Sequence, residues 1–178
     1  GGAMAFTFLK AKGIAIGKSY YEPTNIEMAK VILGEAVSNN VKVVLPNDII
    51  VAQSIDKSSN YRLCKIDKID DNMCGYDIGP QTCNMYNNIL DKSQTIVWNG
   101  PLGVAEVKEF SNGTKVIADT IHKLTKRKVI TIIGGGDTAS TVKKISDNYK
   151  FSHISTGGGA SLELISGNEL PALKAIYG

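Results

Sequence analysis

Apolar and polar positions along the chain follow two rhythms. Short β-rich runs close on proline or glycine: VKVVLP (41–46), TIVWNGP (95–101), VITIIGGG (129–136) and SHISTGGG (152–159). Ahead of them lie stretches of helical period. Ile26, Ala29, Lys30, Leu33 and Ala36 recur at mixed helical spacing, and Val116, Ile117, Ile121 and Leu124 share one face of a second stretch. A weaker helix is predicted over 82–90, led by Asp77-Ile78-Gly79-Pro80, and a short one after Pro171. Strand-like runs alternating with helical stretches predict an α/β protein with a parallel sheet. Between residues 49 and 71 the rhythm changes: IIVAQSI and YRLCKID alternate around the polar turn at 56–60. That pattern predicts a small antiparallel excursion.

Composition narrows the function classes. The chain has 178 residues, 43% of them hydrophobic and 21% charged, enough to build a core in one large or two small domains. A net charge of +3 with no basic stripe gives no reason to expect nucleic acid as a partner. No apolar run of membrane-spanning length and no charged-then-apolar leader is present, so a cytoplasmic location is expected. The opening Gly1-Gly2-Ala3-Met4 suggests that further sequence lies upstream. Three cysteines without a CxxC pair and two distant histidines favour reduced thiols over a disulfide framework or a zinc site. Asn112-Gly113-Thr114 matches a glycosylation sequon but is read as a turn ahead of a helix.

The chemistry-bearing feature is the glycine ends of three strands: NGPLG, GGGDT and TGGGAS. In open parallel sheets, ligands bind beyond the carboxyl ends of the strands. A helix starting there presents unpaired N–H groups to an anion, and glycine lets the ligand approach the backbone closely. One such end is usually only a turn; three suggest a shared phosphate-binding edge. Asp137 is either the N-cap of its helix or, beside phosphates, a ligand to Mg²⁺, which takes one or two carboxylates together with phosphate oxygens. Glu106 either pairs with Lys108 or accepts ribose hydroxyls. GIAIGKS (13–19) is one residue short of a P-loop, so Lys18 is read as a solvated loop lysine, and no G-x-G-x-x-G occurs.

The stretches GGAMAFTFLKAKG, DIGPQT, IVWNGPLGVAE, ITIIGGGDTAS and SHISTGGGASLELISGNELP closely resemble the carboxyl-terminal, nucleotide-binding half of the phosphoglycerate kinase family. The resemblance runs nearly end to end. It implies a three-layer Rossmann-like parallel sheet with helices on both faces, incomplete at its N-terminal side. It implies a nucleotide-binding domain over 1–165, lacking its first strands, and a segment 166–178 that returns to a missing amino-terminal domain. The implied activity is reversible phosphoryl transfer from 1,3-bisphosphoglycerate to MgADP, with the phosphoglycerate held by that other domain and the intact form monomeric.

Family roles carry over by position. Gly1, Gly2 and Ala3 match a glycine turn lining the adenine pocket, and Gly75 and Tyr76 its other wall. Asn99, Gly100 and Pro101 match the turn beside ribose and phosphates, Val104 a contact to the base, and Glu106 the acid on the ribose hydroxyls. Gly135, Gly136 and Thr138 match the phosphate-binding helix start, with Asp137 as magnesium ligand. Gly157, Gly158 and Gly159 match amides facing the transferring group, so that Gly136 and Gly159 are the implied catalytic positions. Tyr76 stands where the family commonly has an aliphatic residue, and Ala3 where glycine is frequent. Alone, the chain is expected to lack turnover, either as part of a kinase or as a nucleotide-binding module or relic that works with a partner. His122 and His153 are expected to be structural.

Overall fold

The structure is a computed structural model that describes residues 1–56, 60–155, 157 and 159–177. It forms two compact units: Gly1–Asn87 with Leu102–Val116, and Asn88–Pro101 with Ile117–Gly178.

The first unit holds α1 (Gly2–Ala11), α2 (Ile26–Ser38), β1 (Asp48–Ala52), β2 (Arg62–Lys65) and β3 (Cys74–Ile78), followed by α3 (Pro80–Leu90), which runs on into the second unit. The strands form an antiparallel sheet in the order β2-β1-β3, with Ile49 opposite both Cys64 and Ile78. Central β1 is buried along nearly its whole length, and Phe6, Leu9, Ile16, Val51, Cys64 and Ile69 build the core with Ile49. The start of α3 is fastened by a distant acid. Gln81 and Thr82 donate their backbone N–H groups to the Asp48 carboxylate at 2.9 and 2.7 Å, which pairs two of the amides a helix start leaves open.

The second unit contains β4 (Thr95–Asn99), most of α4 (Asn112–Lys126), β5 (Ile130–Gly134), α5 (Gly136–Ile145), β6 (His153–Ile154), α6 (Gly159–Ile165) and α7 (Pro171–Tyr177). Its sheet is parallel, in the order β4-β5-β6. On α4 the stripe Ile117, Ile121 and Leu124 is buried, as its period predicts. On β4, Ile96 and Trp98 are buried while Thr95, Val97 and Asn99 are exposed, the two-residue alternation of a half-buried strand.

The α/β class, the parallel sheet and the antiparallel excursion match expectation. Four local expectations are corrected. Residues 41–46 are not a strand: both edges of the nearby β1 are taken by β2 and β3, and a run with no ladder partner has no backbone bonds to hold it extended. Val41 and Val43 are exposed, although Leu45 packs against the core. Asp77 and Ile78, expected only to lead into a helix, close a strand, Cys74–Ile78. The fourth β-rich run, SHISTGGG, pairs over only two residues. Asn112-Gly113-Thr114 does not precede a helix but forms its first turn. Cys64, Cys74 and Cys83 are free thiols.

Candidate functional site

In the second unit, parallel pairing sets Asn99 opposite Gly134 and Ile133 opposite Ile154, so the carboxyl ends of β4, β5 and β6 share one edge. The glycine ends are therefore neighbours. The turn after β4 is tied to the first turn of α5: Gly100 donates its N–H to Thr138 Oγ1 at 2.7 Å, and Trp98 Nε1 donates to the Gly100 carbonyl at 2.7 Å. Thr138 is fully buried, so its hydroxyl oxygen serves to hold the turn. Gly135 is the N-cap of α5 at φ +86°, and a Cβ there would lie 2.8 Å from Asn99 Oδ1. Only glycine accepts both conditions without strain. Because glycine has no side chain to cap with, the amides at the head of α5 keep their capacity for an anion.

Asp137 is thus not the N-cap; Gly135 is. The Asp137 side chain is exposed in the first turn of α5, and among the described residues it has no hydrogen-bond or ion-pair partner. A carboxylate not engaged by any described residue, at a helix head whose amides carry no side-chain cap, is a hard oxygen donor suited to a divalent cation. Gly136 is exposed beside it. Gly157 is exposed and donates to Ser155 Oγ at 3.3 Å, and Gly159 opens α6. Gly158 lies outside the described residues. His122 accepts the Lys150 N–H on Nδ1 at 2.9 Å, a local structural bond, while His153 is exposed on β6.

In the first unit, the loop 102–107 is gathered against α1 and β3. Gly2 donates to the Leu102 carbonyl at 3.0 Å, and Val104 donates to the Tyr76 carbonyl at 2.9 Å. Gly1, Gly2, Tyr76 and Val104 are thereby brought together, with a Gly1 Cβ position only 2.4 Å from Leu102 Cδ1. Gly75 fits beneath Phe6, where a Cβ would come within 2.3 Å of the ring. The Tyr76 ring stacks on Phe110 with centroids 4.8 Å apart, and Tyr61 meets the same Phe110 edge-on at 6.0 Å. The larger residue at position 76 is thus accommodated by aromatic stacking. Glu106 is exposed and, among the described residues, does not pair with Lys108. Ala3 instead lines an apolar groove of about 460 Å³ with Met4, Phe8, Met28 and Ile32.

Two residues of this unit escape sequence reasoning. Asp77 is buried on β3, and its carboxylate accepts the N–H groups of Gly113 at 2.7 Å and Ile78 at 2.8 Å. Thr114 is fully buried, and its hydroxyl oxygen accepts from Leu102 and Gly103 at 3.0 and 3.4 Å. In the sequence they stand only in the lead 77–80 to a weak helix and in the Asn112-Gly113-Thr114 triplet, and neither pattern points to the other.

Burial pushes the Asp77 carboxyl from 3.8 up to about 7, against backbone amides of Gly113, Ile78 and Asn112 that pull it down. A group whose folded pKa is raised contributes stability that is complete below its unfolded pKa and is lost as pH rises through the folded value. The contribution of Asp77 is therefore expected to grow as pH falls from about 7 toward about 4. Thermal melts should show the gap between wild type and Asp77→Asn widening in favour of wild type from about pH 7.5 to about pH 5. A constant gap would contradict this.

Taken by their fold and by these strand ends, the residues define an α/β protein whose second unit carries a parallel sheet with glycine turns at the carboxyl ends of its strands. The phosphoglycerate kinase family profile matches residues 1–168, and the chain belongs to this family. It is 44% identical over 176 residues to a phosphoglycerate kinase of Chloroherpeton thalassium and 46% identical over 176 residues to one of Finegoldia magna. Each alignment covers 99% of this chain and 44% of the relative, so the chain spans under half the length of the curated relatives it matches. Among solved structures, phosphoglycerate kinase from Coxiella burnetii superposes with a TM-score of 0.91 at 40% identity, covering 98% of this chain and 44% of that one. The enzyme from Pyrococcus horikoshii gives 0.68 at 31% identity, covering 97% and 43%. Among the described residues, no helix is long and apolar enough to cross a membrane.

Proposed function

We infer that this chain is the carboxyl-terminal, nucleotide-binding part of a phosphoglycerate kinase. In the intact protein it would serve reversible phosphoryl transfer from 1,3-bisphosphoglycerate to MgADP, giving 3-phosphoglycerate and MgATP. The observation that carries this reading is the shared edge of β4, β5 and β6, where the Asn99–Gly100–Pro101 turn is bonded to the head of α5.

In the second unit, the amides of Gly135, Gly136 and Thr138 take nucleotide phosphate oxygens, and those of Gly157, Gly158 and Gly159 face the transferring group. Gly136 and Gly159 are the positions closest to the chemistry in this assignment. Asp137 would hold Mg²⁺, which when bound neutralises charge on the phosphates. In the first unit, Gly1, Gly2, Gly75 and Tyr76 line the adenine, Val104 packs on it, and Glu106 accepts the ribose hydroxyls, while Ala3 faces the separate apolar groove. Asn99, Gly100 and Pro101 border the ribose and phosphates.

Phosphoryl transfer passes through a loose transition state, so catalysis is mainly positioning and charge stabilisation. Fixed backbone dipoles supply that without reorganising during the reaction. The acceptor carboxylate of phosphoglycerate has no proton to lose, so no general base is required. The phosphoglycerate site belongs to the rest of the protein, to which residues 166–178 return in this reading. The cytoplasmic location and monomeric intact form belong to the same inference.

Titration calorimetry of the intact protein with ADP in the presence of magnesium tests it. Binding in about the micromolar-to-millimolar range is expected, weakened when magnesium is chelated. No heat of binding would remove the reading.

A further inference from the structure

The geometry points to Asp77 as a positioning residue for the nucleoside wall of the first unit: its carboxylate fixes the loop 102–107, which carries Val104 and Glu106, between β3 and the first turn of α4. The inference rests on the nucleotide reading above. It concerns a buried residue whose hydrogen-bond partners are backbone amides and which acts through other residues.

Three observations carry it. Asp77 follows Tyr76 directly on β3, and Val104 is bonded to the Tyr76 carbonyl, so wall and carboxylate share one strand. The carboxylate grips the head of α4 through the Gly113 N–H at 2.7 Å, while Ile78 donates to its other oxygen at 2.8 Å. On its remaining side it presses on the loop itself. A Cβ at Gly103 would lie 2.3 Å from Asp77 Oδ1 and 2.5 Å from the Phe110 carbonyl. Contact this close means the loop backbone rests against the acid, and position 103 has no room for a side chain.

Thr114, in the same first turn of α4, completes the fastening. Its hydroxyl oxygen accepts from Leu102 and Gly103, and Leu102 in turn accepts from Gly2. Strand, loop, α1 and the start of α4 are therefore one connected set of hydrogen bonds with Asp77 at its buried end. A buried amide that loses its acceptor seeks another arrangement, because leaving it unpaired is costly. The loop is the part free to move, since its outer residues are exposed or half-buried.

Asp77→Asn in the intact protein tests this. An amide keeps the shape but replaces one acceptor oxygen by a donor that faces backbone donors. The expected result is a nucleotide KM raised roughly tenfold, from the loss of one well-placed acceptor. The phosphoglycerate KM and kcat should stay within about twofold of wild type. A fall in kcat with unchanged nucleotide KM, or an equal effect on both substrates, would overturn the inference. Thr114→Val cuts the other half of the fastening without touching charge and serves if the first variant does not fold. It should raise the nucleotide KM severalfold on the same grounds, and an unchanged KM would overturn the inference. Failure of wild type to bind MgADP would instead count against the functional reading itself.

Discussion

Replacing Asp137 by alanine in the intact protein is expected to lower kcat by about 10²–10³, the usual cost of deleting one preorganised charge-stabilising group. The physical reason is local. The side chain is exposed in the first turn of α5, beside amides with no capping side chain, and is not engaged by any described residue. Removing it deletes no internal hydrogen bond, so stability should change little. The effect should fall on the metal: half-saturating magnesium should rise, and excess magnesium should restore part of the rate. Steady-state rates over a magnesium titration measure both. A variant with wild-type magnesium dependence would show that Asp137 is not the metal ligand.

Phe110→Ala should be among the most destabilising single changes. Its ring is 1% exposed and stands between Tyr76 and Tyr61, stacked on one and edge-on to the other. Truncating a buried phenylalanine costs about 3–5 kcal/mol, through lost burial and the cavity left behind. That is a large share of a typical total stability of about 5–15 kcal/mol. Urea unfolding should show a midpoint lowered by this loss divided by the slope, with the slope itself retained. A loss below about 1 kcal/mol would mean that Tyr61 and Tyr76 collapse into the space. Phe110→Leu, which keeps most of the volume, should recover part of the loss.

How far these sites were legible in the sequence depends on what held them. The second unit is largely legible. Its strands end in glycines that the phosphate reading requires, α4 carries an unbroken apolar stripe, and the motifs are local in the chain. The sequence places Asp137 as an acid at a helix head but leaves open whether it caps the helix. Gly135 takes the cap position, and the carboxylate is left facing outward. The first unit is less legible, because its connections are distant in sequence. Asp77 meets Gly113 across 36 residues, and Asp48 caps a helix 34 residues away. No spacing rule relates such positions. The same limit explains residues 41–46: valine-rich composition predicts a strand, but a strand exists only where a partner offers a ladder.

The sequence by itself determined the class of the protein, the parallel order of strand and helix in its second half, and the glycine ends that suit phosphate. Those features follow from periodicity and from the conformational freedom of glycine, both properties of short segments. The tertiary structure alone decided that the strand ends share an edge, that Thr138 holds the turn at Gly100, and that the buried Asp77 binds the head of α4 beside the loop 102–107. Each of those depends on groups brought together by burial, where an unpaired amide or carboxylate is too costly to leave and so finds its partner wherever the fold supplies one.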